Sequence, residues 1–437
     1  MMITCPPHEL KGGAFTGTLF KAEKNGETKR HANAVLFFLN QYGKMFETGM
    51  RGGRTEMEKK ARQSNVELLR ILAMLIIIGH HFALHGGLSG CTDVPFYNRI
   101  WIQFLLLGGK LGVSIFILIS GYFLIQSTGQ KAARLLKLWL QVFTWSIICY
   151  GVYLALMHRY TGENQFLVSD FVKCFFPLIF QSWWFASTYF AMVLFSPFLN
   201  RFLTSLSRRQ YLRLLMLMTA CWGVVPMIFG KAFEASHLLW FFYLYSISGY
   251  IRLFGVEDKI SLTGGKSILL AFLAEFLVLF LTDRARIIRL NLLHYSAEYQ
   301  FSTGEEGEQR FLLLITFVSV LLLIGFLKCS MKPKKIINSV SATTFGIYLI
   351  HDSLYLRPAI WTLLIGSRGE AAASGLLFIP YSIAVAAAVF LACMAAEMIR
   401  KSILEKHYLS ALERAGLLIE QKLRKWEDSF DKEDSEV

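Results

Sequence analysis

The sequence predicts an all-α, polytopic integral membrane protein with about ten transmembrane helices, and three observations carry that prediction. Of the 437 residues, 54% are hydrophobic, 37 are Phe, and the mean hydropathy is +0.45. Apolar runs of about twenty residues recur along the chain, the length that crosses roughly 30 Å of hydrocarbon. The formal charge of +14 sits mostly in short stretches between those runs. That is the distribution expected of positive-inside loops, and it lacks the base-reading elements that a nucleic-acid binder adds to its basic clusters.

Residues 1–56 differ from the rest. They mix Pro6-Pro7 and Gly12-Gly13 with scattered Lys and Glu, and their one apolar run, Val35 to Leu39, is too short to span a bilayer or act as a signal peptide. Little order is expected there, and Met57 is an alternative start. From Met57, the stretch Glu58-Lys59-Lys60-Ala61-Arg62 gives a basic lead-in that holds the N-terminus in the cytoplasm.

The candidate spans are Val66–Leu84, Lys110–Ile125, Leu135–Met157, Trp183–Leu203, Leu212–Phe229, Leu238–Leu253, Ser267–Leu281, Phe311–Cys329, Thr344–Ile365 and Leu376–Ile399. The seventh is the weakest, with Glu275 at its middle. An N-terminus inside makes every second loop cytoplasmic, and those loops hold Lys131, Arg134, Lys137, Arg201, Arg208, Arg209, Arg213, Arg252, Lys259, Lys266, Lys328, Lys332, Lys334 and Lys335. The tally predicts a multi-pass protein of the cell membrane with both termini cytoplasmic. The exception is the seventh loop, about Thr282 to Gln309, where Arg284, Arg286 and Arg289 mix with Glu305, Glu306 and Glu308; it is either a solvated connector or a cover over an outer opening.

Residues 57–400 thus form the membrane domain and 401–437 a cytoplasmic extension. In the latter, Ile403, Leu404, Leu409, Leu412, Leu418 and Leu423 recur at helical intervals, which predicts an amphipathic helix, and the acidic Glu427–Val437 predicts a disordered tail. The seven cysteines form no CxxC and no metal spacing with His, so no metal is expected. Cys149, Cys221 and Cys393 fall in apolar spans as packing residues. Cys91 and Cys174 fall in outer loops, either as a disulfide or as two thiols.

The chain is organised around Asn65–Leu84. Its apolar centre, Ile71 to Ile78, has Glu67 and Arg70 at one end and His80-His81 near the other. At 100° and 1.5 Å per residue, Arg70 and His81 lie within about 20° of one another and about 16 Å apart, Glu67 about 40° from His81, and His80 about 80° off. A snorkelling Arg and an interfacial His are one reading. The other is functional, because ionisable groups within a span are costly and face a cavity, a partner or a path.

An acidic-x-x-Arg followed after ten residues by His resembles the Arg-x10-His motif of the membrane-bound acyltransferase 3 family. Three further stretches agree in order and spacing: Val113-Ser114-Ile115-Phe116-Ile117-Leu118-Ile119-Ser120-Gly121-Tyr122, then Trp183-Trp184-Phe185 through Ser196-Pro197-Phe198-Leu199-Asn200, then Phe345-Gly346-Ile347-Tyr348-Leu349-Ile350-His351-Asp352. The resemblance covers residues from about 60 to 400. It implies an O-acyltransferase with acyl-CoA, most simply acetyl-CoA, as donor and a hydroxyl of a cell-surface polysaccharide or lipid-linked carbohydrate as acceptor.

Acyl transfer from a thioester to a hydroxyl needs a base for the hydroxyl proton and donors for the oxyanion. The resemblance implies His81 as the base, with Arg70 and Glu67 supporting the site. It also implies an Arg-x-x-Arg pair after the second span that handles the coenzyme A donor. Here that stretch is Lys131-Ala132-Ala133-Arg134, and Lys131 lacks the two-pronged contact of Arg, so it reads equally as an ordinary positive-inside loop. Ser120-Gly121 permits close helix approach, and Tyr122 offers a hydroxyl to the donor site. Trp183 and Trp184, at the start of the fourth span, and His351 and Asp352, in the ninth, are the candidate substrate-binding residues. The last pair either fixes a tautomer or holds helices together. Glu275 and Glu397 need partners such as Arg357 or Lys110.

No Walker motif, G-x-S-x-G elbow, HExxH or strand-borne GxGxxG occurs. Two rival readings are a transporter with an Arg70, His81 and Asp352 proton relay, and a polysaccharide polymerase or ligase relying on the arginines of the outer loop.

Overall fold

The computed structural model describes residues 63–88, 94–127, 132–163, 165–229, 236–288, 312–364 and 375–435. The expectations for residues 1–56, Met57, Cys91, Lys131 and Arg289 fall outside these. Among the described residues the chain is helical without a strand: α1 (Ser64–His85), α2 (Phe96–Leu124), α3 (Ala132–Thr161), α4 (Val168–Phe175), α5 (Trp184–Ser205), α6 (Arg208–Phe229), α7 (His237–Phe254), α8 (Val256–Lys259), α9 (Gly264–Ile288), α10 (Leu312–Lys328), α11 (Lys335–Ser341), α12 (Thr344–His351), α13 (Phe378–Arg400) and α14 (Lys406–Ser435). Five described helical segments are long and apolar enough to cross a membrane: Ser64–His85, Phe96–Leu124, Ala132–Thr161, Arg208–Phe229 and Gly375–Leu423. The protein is an all-α polytopic membrane protein, and residues Thr55–Gln421 form one compact unit.

Packing between α1 and α2 is close because α2 presents small residues there. A Cβ on Gly109 would lie 2.7 Å from the His80 ring, and removing it lets the two backbones approach. At the other end of α2 a Cβ on Gly121 would meet Tyr245 Cα at 2.9 Å. The Ser120-Gly121 pair is therefore a contact point for α7.

The Ser-Pro-Phe-Leu-Asn stretch of α5 satisfies its own exceptions. Pro197 has no N–H for the carbonyl of Val193, and the Ser196 hydroxyl donates to that carbonyl at 2.9 Å instead. One turn on, Asn200 donates from Nδ2 to the Leu124 carbonyl at the end of α2 (2.7 Å) and accepts from the Tyr245 hydroxyl at 2.6 Å.

Glu397 is fully buried, and its partners are neither Arg357 nor Lys110. It accepts from Arg400 Nε and Nη2, both at 2.8 Å, from Trp145 Nε1 at 2.7 Å and from Gln141 Nε2 at 3.0 Å. Arg400 stands three residues away on the same helix, the spacing at which side chains meet. It also reaches Glu405, which pairs with Lys137, and Tyr408. Glu275 is buried within an uninterrupted α9.

Four boundaries depart from expectation. α2 begins at Phe96, fourteen residues before Lys110, because its polar side chains find partners: Asn98 donates to the Gly375 carbonyl and Trp101 to Ser382. α9 runs on to Ile288, placing Arg284 and Arg286 on its last turns. The ninth span is broken. α12 ends at His351, turns follow, and a π-helical stretch occupies Ala359–Leu364. A helix through Asp352–Leu356 would need an N–H from Pro358 for the Leu354 carbonyl, which proline lacks. Finally, α13 continues through a π turn at Lys401–Glu405 into α14, and helix persists to Ser435 where a disordered tail was expected. Extending an existing helix by one residue avoids the cost of a new nucleus.

Candidate active site

α1 turns Met74, Ile77, His81 and Leu84 toward a cavity of about 330 Å³. Steps of three and four residues keep these side chains on one face. The facing walls come from Lys110, Val113 and Phe116 of α2, Trp184 and Phe185 of α5, His237 and Trp240 of α7, and Tyr348, Asp352 and Arg357 around the break in the ninth span. His81, His351 and Asp352 are all buried.

The hydrogen bonds determine which nitrogen of His81 carries a proton. His351 Nδ1 lies 2.6 Å from the Ile347 carbonyl, one turn earlier in α12. A carbonyl only accepts, so Nδ1 bears the hydrogen and Nε2 of the neutral ring is an acceptor. His81 Nδ1 lies 2.9 Å from that Nε2 and donates to it. The lone pair of His81 is consequently on Nε2, which stands 3.6 Å from Asp352 Oδ1. A proton taken up there produces an imidazolium beside a carboxylate, which stabilises the charge, while His351 on the opposite nitrogen orients the ring.

Asp352 is fixed from the other side. Arg357 Nη2 donates to its Oδ1 at 2.8 Å and to its main-chain carbonyl at 3.2 Å. His85 Nε2 lies 3.8 Å from the same Oδ1, and its ring stacks on His81 with centroids 5.3 Å apart. His81, His85 and Asp352 bring three ligand-type atoms within 4.8 Å of one another, but a dication held there would face the Arg357 guanidinium already bonded to the shared oxygen.

Of the residues singled out from the sequence, His81, Asp352 and Trp184 meet at this cavity, while His351 stands behind His81 and does not line it. Trp183 is buried but does not line it. His80 lines it while donating from Nδ1 to the Leu106 carbonyl at 2.7 Å. Arg70 lies one turn beyond Met74 on α1 and donates to Glu67 at 2.7 Å, and Glu67 also accepts from the Ser341 hydroxyl. Neither lines the cavity. The Tyr122 hydroxyl donates to Glu257 at 2.7 Å and accepts from Arg252 at 3.0 Å, also away from it. Arg134 is exposed near the start of α3.

From sequence, His85 and His237 carry no assignment, Trp240 reads as an interfacial anchor, and Lys110 and Arg357 read only as ion-pair partners. His85 carried a usable signal, since it stands four residues after His81 and so shares its face. Arg357 and Lys110 are charged residues inside apolar stretches, which is itself a pointer. His237 and Trp240 had none, because only the packing of α7 against α2 and α5 brings them in.

A family model described as an acyltransferase domain matches residues 63–398 of the chain. No curated protein and no solved structure matches it.

Proposed function

The chain belongs to the acyltransferase 3 family, and from that premise we propose that it is an O-acyltransferase that moves an acyl group, acetyl in the simplest case, from acyl-CoA to a hydroxyl of a cell-surface polysaccharide or its lipid-linked precursor. The observation that carries this reading is the tautomer of His81: its Nε2 lone pair stands in a buried cavity, backed by His351 and opposed by Asp352.

In the proposed reaction His81 Nε2 accepts the acceptor's hydroxyl proton as the oxygen attacks the thioester carbonyl. Asp352 stabilises the imidazolium, which then returns the proton to the departing thiolate. Arg70 and Arg134, with Lys131, supply positive charge for the donor's phosphates. Both termini and the donor are on the cytoplasmic side of the cell membrane in this reading, and the acceptor meets the cavity from the other. Trp184 and Phe185 give the cavity flat apolar surface suited to a sugar ring.

The test is acyl-CoA consumption and acyl incorporation into surface glycan, followed in membranes that contain or lack the protein. Glycans with identical mass spectra in the two, and no acyl-CoA turnover, would reject the assignment. Loss of both with His81→Gln at equal abundance supports it.

A further inference from the structure

Lys110 is the middle residue of the 29-residue α2, a long way from either end of an apolar helix. Its ammonium lies 5.0 Å from the centroid of the Trp184 ring and 5.1 Å from that of Trp240, inside the distance at which a cation is attracted to an aromatic face. The two rings hold the charge on the cavity wall, since Lys110, Trp184 and Trp240 all line it. The level along the bundle is set by the neighbouring residues. Gly109 packs against the His80 ring and the two helices run antiparallel, so Lys110 on α2 and His81 on α1 step one residue each way from that contact, about 3 Å apart in depth, and both line the same cavity. A base for the hydroxyl and a fixed cation thus line one cavity.

We propose that the Lys110 ammonium is a catalytic group that takes up the negative charge developing on the thioester carbonyl oxygen, an assignment that rests on the acyl-transfer reading above. The acceptor oxygen forms a bond to the carbonyl carbon as its proton passes to His81 Nε2, and the carbonyl π electrons move onto oxygen beside Lys110. Collapse of that intermediate restores the carbonyl and breaks the carbon–sulfur bond, and the thiolate leaves with the proton from His81. A cation positioned in advance acts at the step where charge appears.

The experiment uses the full-length protein in proteoliposomes with acetyl-CoA, following thiol release with glycan acceptor and, separately, the slow release by water alone. Lys110→Met and Lys110→Gln are expected to lower kcat of both reactions by about 10²–10³-fold, with little change in KM for acetyl-CoA, because attack by water passes through the same oxyanion. Lys110→Cys gives a second route: a reagent that attaches an aminoethyl group restores turnover and one that attaches a methyl group does not, with the wild-type protein treated in parallel. Wild-type kcat in folded Lys110→Met, or equal rescue by both reagents, overturns the proposal. So does a defect confined to the acceptor's KM with water-dependent release intact, which would make Lys110 a binding site for an anionic acceptor. Absence of turnover in the wild type would instead count against the acyl-transfer reading itself.

Discussion

His81 and His351 stand 270 residues apart in the chain and share a hydrogen bond of 2.9 Å between Nδ1 and Nε2. His351 is itself tied to its own helix through Ile347. The base of the proposed reaction is thus oriented by a residue whose orientation is set by backbone.

Replacing the two rings separates base from orienter. His81→Gln removes the proton acceptor and should lower acyl transfer by about 10²–10⁴-fold. His351→Leu leaves the base present but unoriented, and a loss of about 10–100-fold is expected. His80→Ala, which releases the Leu106 carbonyl and the ring's contact with Gly109, should be milder than either. Rates per mole of folded protein decide the order, and equal rates for His81→Gln and wild type would remove His81 from the chemistry.

Asp352 and Arg357 should behave as a unit. Asp352→Asn leaves a partly buried guanidinium without its carboxylate and is expected to destabilise the protein by up to about 3 kcal/mol, the low end for breaking a buried pair because the Arg357 side chain is 31% exposed. Adding Arg357→Gln should return abundance toward wild type without returning activity, since the imidazolium of His81 would still lack its counter-charge. Thermal unfolding in detergent and turnover, measured on both single variants and the double, test the coupling.

The Glu397 cluster should affect stability and leave the chemistry alone. Glu397→Ala leaves Arg400, whose side chain is 2% exposed, with Glu405 and Tyr408 alone and takes the acceptor from Trp145 and Gln141, at a cost of about 3 kcal/mol. Yield and melting temperature should fall sharply. The KM for acyl-CoA of whatever folded protein remains should be unchanged, and a changed KM would tie this cluster to donor binding.

Two glycines make a paired test of packing. Gly121→Val drives two methyls into Tyr245 and Ser248 and should impair folding, whereas a Cβ at Gly151 meets nothing within 4 Å. Gly151→Ala in α3 should then be neutral or stabilising by up to about 1 kcal/mol. Monodispersity on size-exclusion chromatography distinguishes the two, and a well-behaved Gly121→Val would show that the α2–α7 contact accommodates a larger side chain.

Periodicity and hydropathy make the helices legible from sequence, because each helix announces its own apolar length. They also bring out His81 on the α1 face, whereas Arg70 and Glu67, expected to share that face, bond each other and do not line the cavity. What they do not reveal is which distant residue satisfies a local exception. The early start of α2 depends on Gly375 and Ser382 accepting from Asn98 and Trp101. The break after His351 was foreshadowed by Pro358, but the value of that break, a carboxylate aimed at His81, appears only when α1 is in place. Lys110 reads from sequence as an ion-pair partner because a charge in an apolar run suggests an opposite charge, and nothing in the sequence points to the two indole faces that lie 5.0 and 5.1 Å from its ammonium.

The far ends of α1 are both completed by late parts of the chain. Ser64 bonds Asn338, Asn65 bonds the Phe326 carbonyl, and His81 bonds His351. A ribosome that has made α1 has therefore made a helix carrying polar groups with no partners, and those partners emerge only after more than 250 further residues. Until then the nascent chain holds an incomplete version of the proposed site. Truncation anywhere before residue 352 should leave a membrane-inserted but inert protein, so the order of synthesis itself keeps a half-built enzyme from consuming its donor.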